Sequence, residues 1–256
     1  MGRSSRAVAV VMFALSLQAC GGEGASSSSE GALRADSPSI AAEVQLAGCV
    51  PACPGHDGGR ITPMDLPDGE YQTDGFFGGA MSVTFDAGWV SPEDSSGEFS
   101  ATPKGQDDLI FFWEDVYPLE DGKRVRGVPR TVEGLLDWMG SSSQLDISAP
   151  EPGSIGGLPA AVVDVRIAAG AVDEGTPEDP CPAAVCVGFL GFPEWFGSWA
   201  IAGRQVQRFY LSDVTYGGVD HLFVAVIYPD DPADMKAFAP IGERILGTVH
   251  VPADPA

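Results

Sequence analysis

The side chains whose types and spacing could do chemistry are first of all the cysteines. Cys49 and Cys53 stand four apart with His56 three residues on, and Cys181 and Cys186 form a second close pair. Thiols this near one another either oxidise to local disulfides or, with an imidazole beside them, hold a zinc ion. An even count in an exported chain favours the disulfides Cys49 to Cys53 and Cys181 to Cys186, although four cysteines allow three pairings. Both pairs sit in Pro- and Gly-rich stretches, which suits loop staples, and no metal or cofactor is expected.

Acid–base and nucleophilic chemistry find less support. The chain has three histidines: His56 in the cysteine loop, His221, and His250 near the end. His221 shares strand parity with Phe223, Ala225 and Ile227, so a core or edge histidine is the plain reading. No Gly-x-Ser-x-Gly elbow and no Ser-x-x-Lys occurs. The expectation is therefore a protein that is not an enzyme. The alternative is a hydrolase using His221 with an acidic partner. Calcium is a further alternative. Asp173-Glu174 with Glu178-Asp179, or Asp230-Asp231 with Asp234, could present several hard oxygens, though neither follows the spacing of an EF-hand loop. Otherwise these are solvated acidic loops.

The feature singled out for binding is an aromatic run. Phe189, Phe192, Trp195, Phe196 and Trp199 are interrupted by Gly188, Gly191, Pro193 and Gly197. Such a segment is not expected to form one regular element with a single buried face. Some rings would then reach a surface, where Phe and Trp concentrate binding energy for a partner or an apolar ligand. The other reading is a lid folded back over the sheet, its start pinned by the Cys181 to Cys186 loop.

Cys20 carries a different chemistry. Arg3 and Arg6 precede an apolar run from Ala7 to Leu17, too short to span a bilayer as a mature helix. The run closes on Leu17-Gln18-Ala19-Cys20, which resembles the lipobox of bacterial lipoproteins. The resemblance implies that residues 1–19 are a cleaved signal peptide. It implies too that Cys20 is diacylated, with palmitate-type chains, becomes the mature N-terminus and holds the protein on a membrane of the cell envelope, facing the periplasm or the exterior.

Charge bears on partners. The formal net charge is −22, and losing residues 1–19 removes two arginines and no acid, taking it to −24. So acidic a chain will not bind nucleic acid by neutralising phosphates, and anionic headgroups repel it. Acyl chains must then supply membrane affinity, at about 0.8 kcal/mol per buried methylene. Residues 20–60 are rich in Gly, Ser and Ala and read as a flexible tether, leaving 61–256 as a single globular domain.

Within that domain the periodicities predict the elements that must position these side chains. Strands are expected near Gly69 to Tyr71, over Met81 to Phe85, and over Asp108 to Trp113, the last apolar on both faces and hence central. Asp86 to Val90 reads as a turn carrying Trp89. Thr131 is a candidate N-cap for a helix with Val132, Leu135, Leu136 and Met139 on one face. A strand follows at Ala161 to Ile167. Gln205 to Leu211 and Asp220 to Tyr228 read as a hairpin, and a second helix starts at Asp231-Pro232 and tolerates Pro240. Thr248 to Val251 would close the sheet.

The succession Gly-x-Tyr, Ser-Val-Thr-Phe-x-x-Gly-Trp, Leu-Leu-x-Trp, Ile-Gly-Gly-Leu-Pro-Ala-x-Val-Val-Asp, Arg-Phe-Tyr-Leu-x-Asp-Val and Phe-Ala-Pro-x-x-Glu-x-Ile-Leu-x-Thr-Val resembles a group of uncharacterised bacterial envelope lipoproteins. Their element order is distantly similar to PsbP-like domains. That likeness covers about Gly69 to Val251 and implies an α+β fold: an antiparallel β-sheet with helices packed on its faces, as in a PsbP-like α/β/α sandwich. It also implies a partner-binding module without catalytic machinery.

Overall fold

Long strands whose alternate residues are both apolar can be buried on two sides, and here one sheet is built from such strands. The computed structural model describes residues 64–73, 75–95, 97–173, 183–192 and 195–252, apart from the side chains of 195–197. In chain order these form β1 (Met64–Asp65), β2 (Gly69–Gln72), β3 (Ser82–Phe85), β4 (Trp89–Asp94), β5 (Glu98–Pro103), β6 (Leu109–Glu114), β7 (Tyr117–Glu120) and β8 (Lys123–Arg124). Helix α1 (Val132–Ser141) precedes β9 (Leu145–Ile147), β10 (Glu151–Ile155), β11 (Leu158–Ile167), β12 (Cys186–Phe192) and β13 (Trp195–Ala202). The hairpin β14 (Gln207–Tyr216) and β15 (Val219–Tyr228) and helix α2 (Met235–Leu246) complete the set.

A nine-stranded sheet runs in the order β1-β4-β5-β6-β15-β14-β11-β10, with β9 also paired to β11. Every pairing is antiparallel. Parity sorts its side chains. Ile110, Phe112, Phe223, Ala225, Ile227 and Tyr210 face one core, closed by α2 through Phe238, Ile245 and Leu246 and by the β2–β3 ribbon through Val83 and Phe85. Phe111, Trp113, Val224, Val226, Phe209 and Leu211 face the other, closed by Leu135 and Met139 of α1 and by Phe189, Leu190, Phe192 and Ile201 of β12 and β13. The central-strand expectation for Asp108 to Trp113 follows from this: β6 lies between β5 and β15 and is buried on both sides.

The two helices lie on opposite faces of the antiparallel sheet. Each shares its face with strands, β2–β3 on one side and the four-stranded sheet β13-β12-β7-β8 on the other. The described residues are therefore mostly antiparallel sheet with two short α-helices, richer in strand than an α/β/α sandwich. Local chemistry sets the helix starts. Thr131 Oγ1 accepts the Gly134 N–H at 3.1 Å, as an N-cap does. Asp231 accepts the Ala233 N–H at 2.9 Å, and Pro232 opens a 3₁₀ turn that runs into α2, in which Pro240 is accommodated.

The β2–β3 ribbon is held by rings as well as by its ladder. Phe77 packs edge-on against Phe223 at 5.5 Å, Tyr216 at 5.7 Å and His221 at 5.6 Å, and Phe76 meets Phe223 at 6.4 Å. Such pairs contribute about 0.5 to 1.5 kcal/mol each beyond area burial, enough to seat a ribbon that is marginal alone. Among the described residues no helix is long and apolar enough to cross a membrane.

Candidate functional site

A polar cleft is bordered by α2 and by β10, β11 and β14 of the sheet. Alternation on β14 places Arg208 and Tyr210 on the α2 face while Phe209 points into the opposite core. Asp164 on β11 is the direct cross-strand partner of Arg208, and Glu243 reaches in from α2. The guanidinium grips Asp164 twice, Nε to Oδ1 at 2.7 Å and Nη2 to Oδ2 at 3.1 Å, and Nη1 lies 3.4 Å from Glu243 Oε1. Tyr210 donates its hydroxyl to the same Glu243 oxygen at 2.8 Å. With Ser148, Glu151, Gly153, Ser154 and Val162 these residues enclose about 370 Å³.

The electrostatics of the cleft are acidic. Hydrogen bonding to Asp164 holds the Arg208 guanidinium above its already high range, so it stays charged. Burial, followed by the neighbouring Glu243, raises the Tyr210 phenol, so its hydroxyl stays a donor. Three carboxylates, Glu151, Asp164 and Glu243, face one permanent cation. The space suits a cationic or hydrogen-bonding guest better than an anion or a hydrocarbon.

A second group gathers on the same face but toward the closed end of the β14–β15 hairpin. His221 pairs with Val214 there, whereas Arg208 pairs with Ile227, six residues along, so the two groups are roughly 20 Å apart. His221 Nδ1 lies 2.8 Å from Glu114 Oε1 and 3.2 Å from Asp115 Oδ2. Glu114 Oε2 accepts the Phe77 N–H at 3.2 Å, and Asp115 Oδ1 accepts the Leu222 N–H at 3.0 Å. Asp115 follows β6 with φ of 56°, a left-handed conformation that Asp tolerates better than most residues, and Arg130 Nη1 stands 3.5 Å from its Oδ2. His221 thus lies near the turn end of β15, an interior strand, and it has acidic partners. Its side chain is 16% exposed and lies against Phe77.

The aromatic run is placed differently from the expectation. It forms two strands, β12 and β13, paired through register shifts after Gly188 and Gly191. The shifts absorb what looked like interruptions. At Gly191 a Cβ would come within 2.4 Å of the Tyr117 ring, so glycine there lets β12 lie against β7. Phe189 and Phe192 are 1% and 3% exposed, which corrects the expectation that they form a partner surface. Phe189 borders a hollow of about 230 Å³ beside α1. Trp199 is half-buried, packs on Phe111 at 4.4 Å and Trp113 at 4.9 Å, and donates Nε1 to Gln207 at 2.7 Å. The strands close over the sheet as the lid reading had it, for the residues whose side chains are described; those of Trp195 and Phe196 are outside that set.

Of the other expected sites, Cys20, Cys49, Cys53, His56, Cys181, Glu174, Glu178 and Asp179 lie outside the described residues. Cys186 opens β12, and its N–H is donated to Asp173 Oδ1 at 2.8 Å. The Asp230, Asp231 and Asp234 group does not converge on a point. Asp231 is spent on capping Ala233, and Asp230 gives its N–H to Asp108 Oδ1 at 3.0 Å. Among the described residues the acidic and imidazole set whose ligand atoms converge is Glu114, Asp115 and His221.

Sequence reasoning missed the cleft. Its signal was present: Asp164 between Val163 and Val165, and Arg208 and Tyr210 flanking Phe209, put polar groups at alternate positions of strands that are otherwise core. Which ones meet depends on the β11–β14 register.

No protein-family model matches this chain, and no curated protein does. Among solved structures it is similar to a protein of Bacteroides thetaiotaomicron VPI-5482, with a TM-score of 0.35 and 11% identity over 74% of this chain and 50% of that one. The chain thus spans about half the length of that protein. It is also similar to cyanobacterial PsbP (CyanoP) of Synechocystis sp. PCC 6803, with a TM-score of 0.33 and 10% identity over 79% of this chain and 98% of that one. Both likenesses are distant.

Proposed function

We propose that the protein is a lipid-anchored, non-catalytic component of the bacterial cell envelope that binds a partner protein, and that the cleft beside α2 receives a basic side chain of that partner. The observation that carries the reading is the cleft itself: about 370 Å³ bounded by Asp164, Glu243 and Glu151 around a single arginine. A chain of net charge −22 adds a field that draws basic partners and raises their association rate. Of the aromatic run, Phe189 and Phe192 are buried in the core, which lends an apolar ligand there no support, and the partner half of the expectation is kept. The anchor at Cys20, palmitate-type acylation, the disulfides Cys49–Cys53 and Cys181–Cys186, and the finer likeness to a PsbP-like α/β/α sandwich belong to the same reading. Helices on opposite faces of an antiparallel sheet support that last point.

A photoreactive residue in place of Ser154, on the cleft rim, tests it in living cells. The expected result is a discrete cross-linked adduct that disappears when Glu151 and Glu243 are both changed to Gln. The absence of any adduct, or an adduct indifferent to those charges, would contradict the proposal.

A further inference from the structure

The geometry points to a divalent transition-metal site formed by Glu114, Asp115 and His221, with zinc as the ion it suits best. This is independent of the cleft reading, since the two groups stand at opposite ends of the β14–β15 ladder. The three ligand atoms lie within 4.8 Å of one another, and the two contacts of the imidazole nitrogen are 2.8 and 3.2 Å. Ligand atoms sharing a metal at about 2.1 Å are themselves separated by roughly 3.0 to 3.4 Å, so a small ion fits among these three with little movement.

The surroundings orient the ligands. In each carboxylate one oxygen is held by a backbone N–H, Glu114 Oε2 by Phe77 and Asp115 Oδ1 by Leu222, which turns the other oxygen toward His221 Nδ1. Those donors come from the 3₁₀ turn before β3 and from β15, so the ligands are fixed from two directions. Charge also favours a cation. Two carboxylates face Arg130 and an imidazole that is neutral when it ligates, leaving a net negative pocket at 16 to 18% side-chain exposure. One imidazole with two carboxylates selects zinc, iron(II) or manganese over calcium and magnesium, which prefer oxygen alone. Three protein ligands leave coordination positions for water.

The competing account is a plain ion pair between His221 and the acids. Titration of the purified mature protein with Zn2+ by calorimetry separates them. The site predicts one Zn2+ per chain, a higher melting temperature with the ion, no comparable heat from Ca2+, and affinity weakened roughly tenfold or more by His221→Ala or Asp115→Asn. Substitution of Cys49 and Cys53 by Ser, or of His56 by Ala, should leave this binding intact. On the native protein, zinc should also shift the His221 ring nitrogen resonances, a readout that needs no variant to fold. Failure to bind Zn2+, binding unchanged by His221→Ala, or binding abolished only with the N-terminal cysteines would each overturn the site.

Discussion

Arg208 on β14 and Asp164 on β11 face one another across the ladder and are joined at two points, 2.7 and 3.1 Å. The pair is partly open to water, with side-chain exposures of 28 and 35%. Ion pairs of that exposure contribute about 0 to 1 kcal/mol, so the bridge positions the cleft more than it holds the fold. Arg208→Ala should lower the unfolding free energy by less than about 1 kcal/mol in urea titrations. A loss of several times that would show the pair to be structural.

Glu98 gives the protein a pH dependence of definite sign. It lies on β5 at 6% exposure, and burial first, then the charge of Glu93, lift its pKa from 4.5 to about 8. Between those values the folded chain holds a proton that the unfolded chain has released, so stability falls as pH rises from about 4.5 to 8. Asp108 and Asp230, both raised chiefly by burial, push the same way. Glu98→Gln should flatten the fall and give a higher melting temperature than the native protein at pH 8. An unchanged slope would remove Glu98 as its source.

The turn Gly156-Gly157 between β10 and β11 separates two roles of glycine. Both residues have positive φ, 56° and 86°, but a Cβ on Gly156 would sit 1.8 Å from the Val249 carbonyl oxygen, while one on Gly157 meets open space. Gly157→Ala should cost about 1 kcal/mol of left-handed strain, and Gly156→Ala clearly more, because backbone must shift. Chemical denaturation of the two variants side by side checks the order; equal costs would contradict the packing of residues 246–250 against that turn.

At the start of α1, Thr131→Ala removes the oxygen that accepts the Gly134 N–H. A loss of about 1 kcal/mol is expected, with Thr131→Ser near native. Asp213 also receives the Val132 N–H at 2.9 Å, so the helix start keeps one side-chain acceptor in that variant.

Much of this architecture was legible because it rests on period and punctuation. The doubly apolar run at 108–113, the hairpin later in the chain, Thr131 as a cap and Asp231-Pro232 as a start are local signals, and each became the element expected. The hairpin's turn lies at Gly217-Gly218; its first strand runs five residues further toward it, to Tyr216, and its second starts one residue earlier, at Val219. Other elements were hidden. Trp89 was read as part of a turn, yet it opens β4, whose pairing with β5 includes a register shift that obscures alternation. Thr248 to Val251 makes only a bridge from His250 to Ser82. In the aromatic run glycine looks like interruption, whereas Gly188 and Gly191 mark shifted register within paired strands. Both candidate sites depend on neighbours distant in sequence: His221 meets Asp115 only through β6–β15 register, and Glu243 meets Arg208 only once α2 is docked.

Attachment of this acidic protein to an envelope membrane through Cys20, as proposed, is tested most directly by the intact mass of the protein isolated from membranes. The expected species begins at Cys20 and carries the added mass of a diacylglyceryl group, and Cys20→Ala should release the chain to the soluble fraction. A mature N-terminus elsewhere, without lipid, would contradict it.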